Sequence, residues 1–323
     1  SLNSNGELVT SSSDWWCSGF FPGVLWYLYE NNKGSEELFD YANLYTKRIE
    51  KEQFNTSTHD LGFMLYCSYG NGFRLNPTSE SEGVLINGAH ALSARYNPVV
   101  KCIRSWNKWR DYSYPVIIDN MMNLEMLMWA YKRTGDDTFK NIAISHANTT
   151  KLHHFREDYS SFHVVAYDLK SGKVLQRGTD QGYGDDSSWA RGQAWALYGY
   201  TMMYRETGNE DYLNLAWHIA DFILNHPHLP KDKIPYWDFD SPGIPDDYRD
   251  SSSAAIIASA LLELSKYSEG HRCERYYTVA EQQLRMLASD EYMAEVGTNG
   301  FFILKHGVGN IPQNSELDAP LSY

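Results

Sequence analysis

Four aspartates stand at the start of similar segments and recur at a nearly constant interval. Asp60, Asp119, Asp186 and Asp250 each precede a mostly uncharged run rich in aromatic residues or alanine, and they are spaced 59, 67 and 64 residues apart. A period of that length accommodates two helices with their loops, which is typical of repeated helical hairpins. If the uncharged helices form an inner ring, their first residues gather at one rim and line a pocket with carboxylates.

The chemistry of these aspartates depends on their neighbours. Aspartate before a helix most often accepts hydrogen bonds from free backbone N–H groups, and the serines that follow Asp186 and Asp250 favour this capping role. Asp60 instead follows His59, and Asp119 follows an apolar run. Apolar surroundings or a second carboxylate raise the pKa of a carboxyl, as a general acid requires, whereas a helix N-terminus lowers it. On these grounds capping and catalysis are equally open for Asp60 and Asp119.

Aromatic residues make up 15% of the chain. Sugar rings stack their C–H faces on such side chains, although a single tryptophan more often belongs to the core. It is therefore the clustering beside carboxylates that hints at a carbohydrate ligand. The tryptophans near predicted starts of inner helices are Trp15, Trp16, Trp106, Trp109, Trp189 and Trp195.

One arginine lies in an otherwise uncharged segment. Arg191 is costly to bury alone, so it either pairs with Asp185 or Asp186 or receives a ligand carboxylate, for which its planar fork is well shaped. His163 is a lone histidine that is structural on spacing alone. No metal site is expected from the histidine spacings, and the absence of GxGxxG, P-loop and GxSxG motifs argues against nucleotide cofactors and serine esterases.

Amphipathic segments of a second type alternate with the uncharged ones and predict an outer layer of helices. Three of them follow the glycine turns 32–34, 134–136 and 207–209, where glycine is the expected C-terminal cap. The predicted outer helices span 36–53, 137–152, 211–225 and 275–288. The first inner helix is expected over 15–31, which gives six hairpins or slightly fewer.

Three stretches interrupt this pattern. Residues 161–173 alternate like a short strand, residues 175–184 are glycine-rich and polar, and residues 227–245 hold five prolines and predict a long loop. Long loops at one rim of a helical ring commonly build substrate walls.

Composition limits the class of protein. The formal net charge of −13 makes nucleic acid an improbable partner, and no apolar run reaches the roughly 18 residues of a membrane span, so a soluble protein is expected. The period favours one domain over residues 1–323, with incomplete first and last helices because both ends are abrupt. The four cysteines are predicted to be free thiols and leave the compartment open.

At these residues the chain resembles the unsaturated glucuronyl hydrolases, glycoside hydrolase family 88. The resemblance covers nearly the whole chain and is strongest at WCSGFFPG (16–23), THDLGF (58–63), VIIDNMMNL (116–124) and QGYGDDSSWARGQAWA (181–196). It implies an all-α fold, an (α/α)6 barrel, and removal of a 4,5-unsaturated uronic acid from oligosaccharides that polysaccharide lyases release. The reaction it implies needs no cofactor. The compartment, bacterial cytoplasm or periplasm, and the oligomeric state, monomer or dimer, stay open.

The resemblance also assigns site residues. It makes Asp119 the general acid/base and Asp60 the second essential carboxylate. The residues that it implies for the sugar pocket are His163, Gln181, Arg191, Trp195, Trp189, Trp106 and Trp16, with His59 beside Asp60.

Two other functions remain open at this point. A related enzyme of the same fold could act on unsaturated galacturonyl-rhamnose from pectin, with the same acid chemistry and a different pocket. A helical ring could also bind sugar without turning it over, in which case changes at Asp60 or Asp119 would have no catalytic effect.

Overall fold

The computed structural model describes residue 2 and residues 6–323, and the polypeptide there is mainly helical. Ten α-helices are assigned within these residues, together with five short strands. In chain order the helices are α1 (Phe20–Asn31), α2 (Glu36–Lys47), α3 (Asn71–Leu75), α4 (Ser79–Ser93), α5 (Leu124–Thr134), α6 (Asp137–His153), α7 (Ala190–Thr207), α8 (Glu210–Asn225), α9 (Ser251–Ser265) and α10 (Gly270–Leu287).

The helices pair into five hairpins in the part of the chain that is described, and the architecture is the α/α barrel that the repeat predicts. The even-numbered helices form the outer layer. Four of the predicted outer helices are confirmed within a few residues, although α2 ends early and a 3-10 turn at Glu50–Phe54 replaces its last part. The outer helix α4 was not predicted, since its sequence mixes small and polar residues.

Four of the five described outer helices begin with well-formed caps, and α10 begins without a side-chain cap. The side chains of Ser35, Thr78, Asp136 and Asn209 each accept a backbone N–H of the first turn. Such caps satisfy donors that have no partner inside the helix. At the predicted glycine turns, the inner helices α5 and α7 end in left-handed residues.

Inner segments begin less regularly. The second starts as a π-helix, Gly62–Gly70, and continues into α3, while the third starts as a 3-10 helix, Ile118–Asn123, and continues into α5. The first inner helix begins at Phe20, later than predicted, after turns over residues 13–19. A 3-10 turn is common at a helix start, whereas a π-helix is rare and frequent at functional sites.

A three-stranded antiparallel sheet sits at the rim where the third inner segment begins. Its strands, β3 (Pro115–Ile117), β4 (Val164–Tyr167) and β5 (Val174–Gly178), are ordered β3-β4-β5, and Ile117 pairs with Val164. The strand predicted within 161–173 is therefore confirmed as β4. All four β4 residues are buried, so the strand is covered on both faces, and residues 174–178 are strand where a polar loop was predicted. A separate two-stranded ribbon joins β1 (Tyr96–Asn97) to β2 (Cys102–Ile103).

Residues 288–323 contain one short 3-10 turn, Asn299–Phe301, and otherwise irregular structure. This segment contacts both neighbours in the ring. The backbone N–H of Ser251, at the start of α9, donates to His306, and the ring of Tyr323 lies 5.7 Å from that of Phe20 in α1. It therefore lies between the last and the first inner helices. No helix among the described residues is long and apolar enough to cross a bilayer.

We predict that Gly199→Ala destabilises the inner ring. A Cβ at Gly199 would lie 2.5 Å from the Cβ of Met121, a contact that requires the two inner segments to separate. Overpacking of this kind costs about 1–3 kcal/mol of unfolding free energy, measured by chemical denaturation. The matched control is Gly83→Ala in α4, where a Cβ meets nothing within 4 Å, and which should gain about 0.5–1 kcal/mol. Equal effects of the two changes would contradict this packing argument.

Candidate active site

The sheet brings Asp119 and His163 together. Asp119 lies two residues after the end of β3, and His163 lies directly before β4, so the pairing of these strands sets them side by side. The backbone N–H of Ile118 donates to the His163 carbonyl at 3.0 Å. The Nε2 atom of His163 then lies 3.8 Å from Oδ1 of Asp119. Neither of these two atoms has a hydrogen-bond partner among the described residues.

Burial controls the charge of Asp119. Its side chain is 12% exposed, and loss of solvation raises the pKa of the carboxyl to about 7. The guanidinium of Arg191 opposes this shift, while the negative charge of Asp60 adds to it. The Asp119 carboxyl therefore holds a proton up to neutral pH and lies within electrostatic reach of the second predicted aspartate.

The environment of His163 determines which ring nitrogen carries its proton. The Nδ1 atom accepts the backbone N–H groups of Asp180 and Gln181, at 3.2 and 3.4 Å, so the proton belongs on Nε2. Burial, followed by the charge of Arg191, holds the pKa of His163 well below its usual value, and the ring is neutral. Its Nε2–H group is therefore a fixed donor that points toward Asp119.

Asp60 precedes the π-helix that begins at Gly62. One carboxylate oxygen accepts the Thr58 hydroxyl at 3.0 Å, and the other lies 3.2 Å from Nε2 of His59. The His59 side chain is only 1% exposed, and burial lowers its pKa, so this neutral ring faces Asp60 rather than open space.

Asn123 connects the segments that carry the two aspartates. Its side-chain oxygen accepts the N–H of Phe63, three residues beyond Asp60, at 3.0 Å. Asn123 belongs to the same 3-10 helix as Asp119. Its α-carbon would lie 2.6 Å from a Cβ at Gly62, so only glycine allows this approach. No sequence pattern indicates this link, because its partners are 60 residues apart.

Aromatic rings surround these groups. Trp189 and Trp106 lie 4.4 and 5.7 Å from the ring of His163, and Trp189 is buried while Trp106 is half-buried. Trp195 is buried against Phe63 at 5.1 Å. The indole N–H of Trp195 is buried and has no partner in the described part of the chain. These rings form an aromatic wall beside the Asp119 carboxyl.

Trp16 joins the same aromatic cluster on its far side. Its ring lies 5.5 Å from Phe63 and 4.4 Å from Tyr323, and Tyr323 was not predicted to belong to the site. Part of the Trp16 surface is therefore packed against protein.

Arg191 pairs with Asp250 rather than with the two aspartates suggested by the sequence. It contacts neither Asp185 nor Asp186. Its Nη1 lies 3.3 Å from Asp250 and also donates to the Val308 carbonyl, while Nη2 donates to the Gly309 carbonyl at 2.8 Å. Asp185 instead binds Arg110 through two hydrogen bonds of 2.7 and 2.8 Å.

Gln181 is anchored at the same carbonyl, since its Nε2 donates to Gly309 at 3.1 Å. Residues 308–309 therefore complete the surroundings of two predicted site residues. The sequence could not predict the part played by residues 308–309, because they contribute only their backbone carbonyls.

Helix capping was the favoured role for Asp186 and Asp250, and the structure confirms it for Asp250 alone. Asp250 caps α9 by accepting the N–H of Ser252 at 3.2 Å. The prediction for Asp186 is wrong, because α7 begins at Ala190 with Trp189 at the cap position and without a side-chain cap. The backbone of Trp189 is held instead by a bridge to Asp238 in the proline-rich loop, so this helix start is set by tertiary contacts.

Comparison with known proteins identifies the family. A protein of Formosa agariphila named unsaturated glucuronyl hydrolase is 48% identical over 310 residues, which cover 95% of this chain and 76% of that protein. The chain belongs to the unsaturated glucuronyl hydrolase family. Its members are glycoside hydrolases, as the resemblance implied. No family model matches the chain.

Two further relatives extend this comparison. The crystal structure of an unsaturated glucuronyl hydrolase specific for heparin superimposes with a TM-score of 0.96 at 50% identity, covering all of this chain and 86% of that one. An unsaturated chondroitin disaccharide hydrolase of Streptococcus pneumoniae is 32% identical over 91% of this chain and 74% of its own length.

We predict that Asp119→Asn stabilises the protein at alkaline pH. The folded pKa of this carboxyl, about 7, exceeds its ordinary value of 3.8, so the stability it contributes is complete below about pH 4 and is lost as pH rises through 7. The difference is at most about 4 kcal/mol. Unfolding free energies should therefore diverge in favour of Asp119→Asn from about pH 4 to about pH 7, and the difference should level off above that.

The control for this measurement is Asp40→Asn. Asp40 is exposed on α2, so the same loss of charge there involves no buried carboxyl. Its difference from the parent should stay nearly constant over the same range. A constant difference for Asp119→Asn as well would show that its carboxyl is not held in the protonated form.

Proposed function

We propose that this protein removes a 4,5-unsaturated glucuronyl residue from the non-reducing end of lyase-generated oligosaccharides of the glycosaminoglycan type. The names of its relatives support this substrate class, since they include a heparin-specific unsaturated glucuronyl hydrolase and an unsaturated chondroitin disaccharide hydrolase. We also propose that residues 1–323 act as a single catalytic domain.

One observation carries the proposal. Asp119 presents a protonated carboxyl whose Oδ1 has no hydrogen-bond partner among the described residues and lies 3.8 Å from a fixed N–H donor, beside an aromatic wall suited to a sugar ring. A general acid works best when its pKa lies near the operating pH, and a value of about 7 meets that condition.

The unsaturated sugar is an enol ether, because its C4–C5 double bond is conjugated with the ring oxygen. Asp119 gives its proton to C4, which leaves positive charge shared between C5 and the ring oxygen. Water then adds at C5 and loses a proton to the Asp119 carboxylate, so the acid is regenerated. The resulting hemiketal opens to a ketone at C5, and the hemiacetal left at C1 expels the remaining oligosaccharide. Because this reaction is a hydration, the carboxylate-spacing rule for retaining and inverting enzymes does not apply.

The other residues act on the charge and position of this centre. Asp60 favours the protonated form of Asp119 by like-charge repulsion, and His59 orients Asp60. The Nε2–H of His163 holds the attacking water or a sugar oxygen against Asp119. The 3.8 Å between His163 Nε2 and Asp119 Oδ1 is too long for a direct hydrogen bond. An oxygen held between the two atoms can hydrogen-bond to both.

The sugar itself is bound by the aromatic wall and by charge. Half-buried Trp106 supplies stacking surface, buried Trp189 and Trp195 back this wall, and Trp16 bounds the far side of the pocket. Arg191 attracts the substrate carboxylate through its electrostatic field, as it does the charge of Asp119. Gln181 contributes to the same pocket through the loop that also fixes His163.

We predict that Asp119→Asn lowers kcat by about 10²–10⁴-fold or more, because the amide cannot donate a proton to carbon. The measurement is loss of the ultraviolet absorbance of the unsaturated bond in disaccharides from heparin, chondroitin, hyaluronan, ulvan and pectin. In the parent, kcat/KM should fall as pH rises above about 7, since the acid form is then lost. The control Asp111→Asn removes an exposed carboxylate from the loop between Trp109 and Tyr112 and should keep near-parental activity.

Three outcomes would overturn this function. Near-parental turnover by Asp119→Asn would remove Asp119 from the chemistry. Activity on the pectin disaccharide alone would assign the protein to rhamnogalacturonyl chemistry. Tight binding of every disaccharide without turnover by the parent would indicate a sugar-binding module.

A further inference from the structure

Arg95 is a buried cation with an unusual set of partners. It lies just after α4 and is 6% exposed. Among the described residues no carboxylate lies within ion-pair distance of its guanidinium. Instead Nε donates to the Arg104 carbonyl at 2.9 Å, Nη1 to Thr56 at 2.7 Å and Nη2 to Ser105 at 2.8 Å. Three backbone carbonyls from two distant loops thus converge on one side chain.

The first of these loops leads to Asp60. Thr56 lies four residues before Asp60, and the intervening Thr58 hydroxyl donates to the Asp60 carboxylate and accepts the Asp60 backbone N–H. The hydrogen bond from Arg95 to Thr56 therefore fixes the start of the turn that presents this carboxylate.

The second loop leads to Asp119. Ser105 accepts the N–H of Ile117 at its hydroxyl, at 3.0 Å, and its own N–H donates to Pro115 at 2.9 Å. These bonds hold β3, whose last residue lies two positions before Asp119. The planar guanidinium of Arg95 thus donates hydrogen bonds to the segment that leads to Asp60 and to the segment that leads to Asp119.

Arg95 is itself fixed at its backbone. Its carbonyl accepts the Arg104 N–H and the Tyr114 hydroxyl, both at 3.0 Å. Because the backbone and the side chain are both held, the guanidinium is a rigid reference for the two loops.

We propose that Arg95 is a positioning residue that sets Asp60 at a fixed separation from Asp119 and thereby controls the protonation of the acid. This inference rests on the proposed function only in naming Asp119 as that acid. Burying a guanidinium without a carboxylate partner costs folding free energy. Water could satisfy the same three carbonyls at a looser surface, so the fixed geometry is what Arg95 adds.

The charges around the two carboxyls give the direction of the effect. Asp119 faces the charges of Arg191 and Asp60 and the neutral ring of His163. Asp60 faces His59 and the positive charge of Arg95, which attracts it. Without Arg95 the turn at Asp60 loosens and its carboxylate moves away. The repulsion at Asp119 then weakens, and the Asp119 pKa falls.

The experiment compares Arg95→Met with the parent. Each protein is made both with Asp119 intact and with the substitution Asp119→Asn, and the difference in unfolding free energy within each pair is followed from about pH 5 to 8.5. That difference changes steadily with pH up to the folded pKa of Asp119 and levels off above it. The pH at which its slope has fallen to half, termed its midpoint, reports the Asp119 pKa without any turnover. We expect the midpoint for Arg95→Met to lie about 0.5–1 pH unit below that of the parent. The alkaline limb of kcat/KM should shift by the same amount.

A double-mutant cycle separates this role from general support of the fold. In an Asp60→Asn background, Arg95→Met should shift the midpoint no further, because its effect passes through the Asp60 charge. Arg249→Met is the matched control, since Arg249 also donates to a buried backbone carbonyl, that of Ile234, but pairs with Asp232. It should lower stability and leave the midpoint in place.

The idea is overturned if Arg95→Met lowers stability without moving the midpoint, or moves it equally in the Asp60→Asn background. If Arg95→Met does not fold, Arg95→Lys takes its place. Lysine keeps the charge but cannot reach three carbonyls, so a smaller shift in the same direction is expected, and an unchanged midpoint refutes the proposal. Failure of the disaccharide assay would refute the proposed function and leave this titration unaffected.

Discussion

The site depends on one interaction, the removal of the Asp119 carboxyl from water. Desolvation is the largest influence on this group and exceeds the opposing attraction of Arg191. That balance is possible because the guanidinium is also held by Asp250 and by the carbonyls of Val308 and Gly309, which share its charge. A free arginine at the same place would hold Asp119 ionised, and the carboxyl could not act as an acid near neutral pH. The barrel, the sheet and the aromatic wall all serve to keep this one group dry.

The irregular helix starts are how the fold reaches that arrangement. A regular α-helix at residues 62–70 or 118–123 would present its first side chains at fixed angles of about 100°. The π-helix after Asp60 and the 3-10 helix through Asp119 change those angles locally, while α3 and α5 restore regular packing deeper in the ring. Four of the five described outer helices, none of which carries a predicted site residue, begin instead with ordinary side-chain caps, and α10 begins without one. Irregularity is thus concentrated where the aspartates lie.

Periodicity and local chemistry carry much of the information about this fold and its site. The interval between aspartates predicted the hairpins, and the serines after Asp250 favoured its cap. For Asp119 the apolar run favoured a raised pKa and the helix start a lowered one, and burial in the fold decides for the raised value. The local signal failed at Asp186, where tertiary contacts of Trp189 override it. Arg95 was also missed, because backbone carbonyls are recognised there and any residue type provides them.

Neutrality of the histidine is the last requirement for a protonated aspartate. A protonated His163, 3.8 Å away, would draw the proton off Asp119 and turn the two groups into an ion pair. Burial and then the charge of Arg191 hold the pKa of His163 well below its usual value and so prevent this, while the backbone N–H groups of Asp180 and Gln181 point at Nδ1 and place the single ring proton on Nε2. Two main-chain amides in a glycine-rich loop thereby determine which ring nitrogen of His163 presents a proton to the Asp119 carboxyl. One side chain of this loop takes part as well, because the Thr179 hydroxyl lies 3.4 Å from the same Nδ1 atom and accepts the N–H of Gly182.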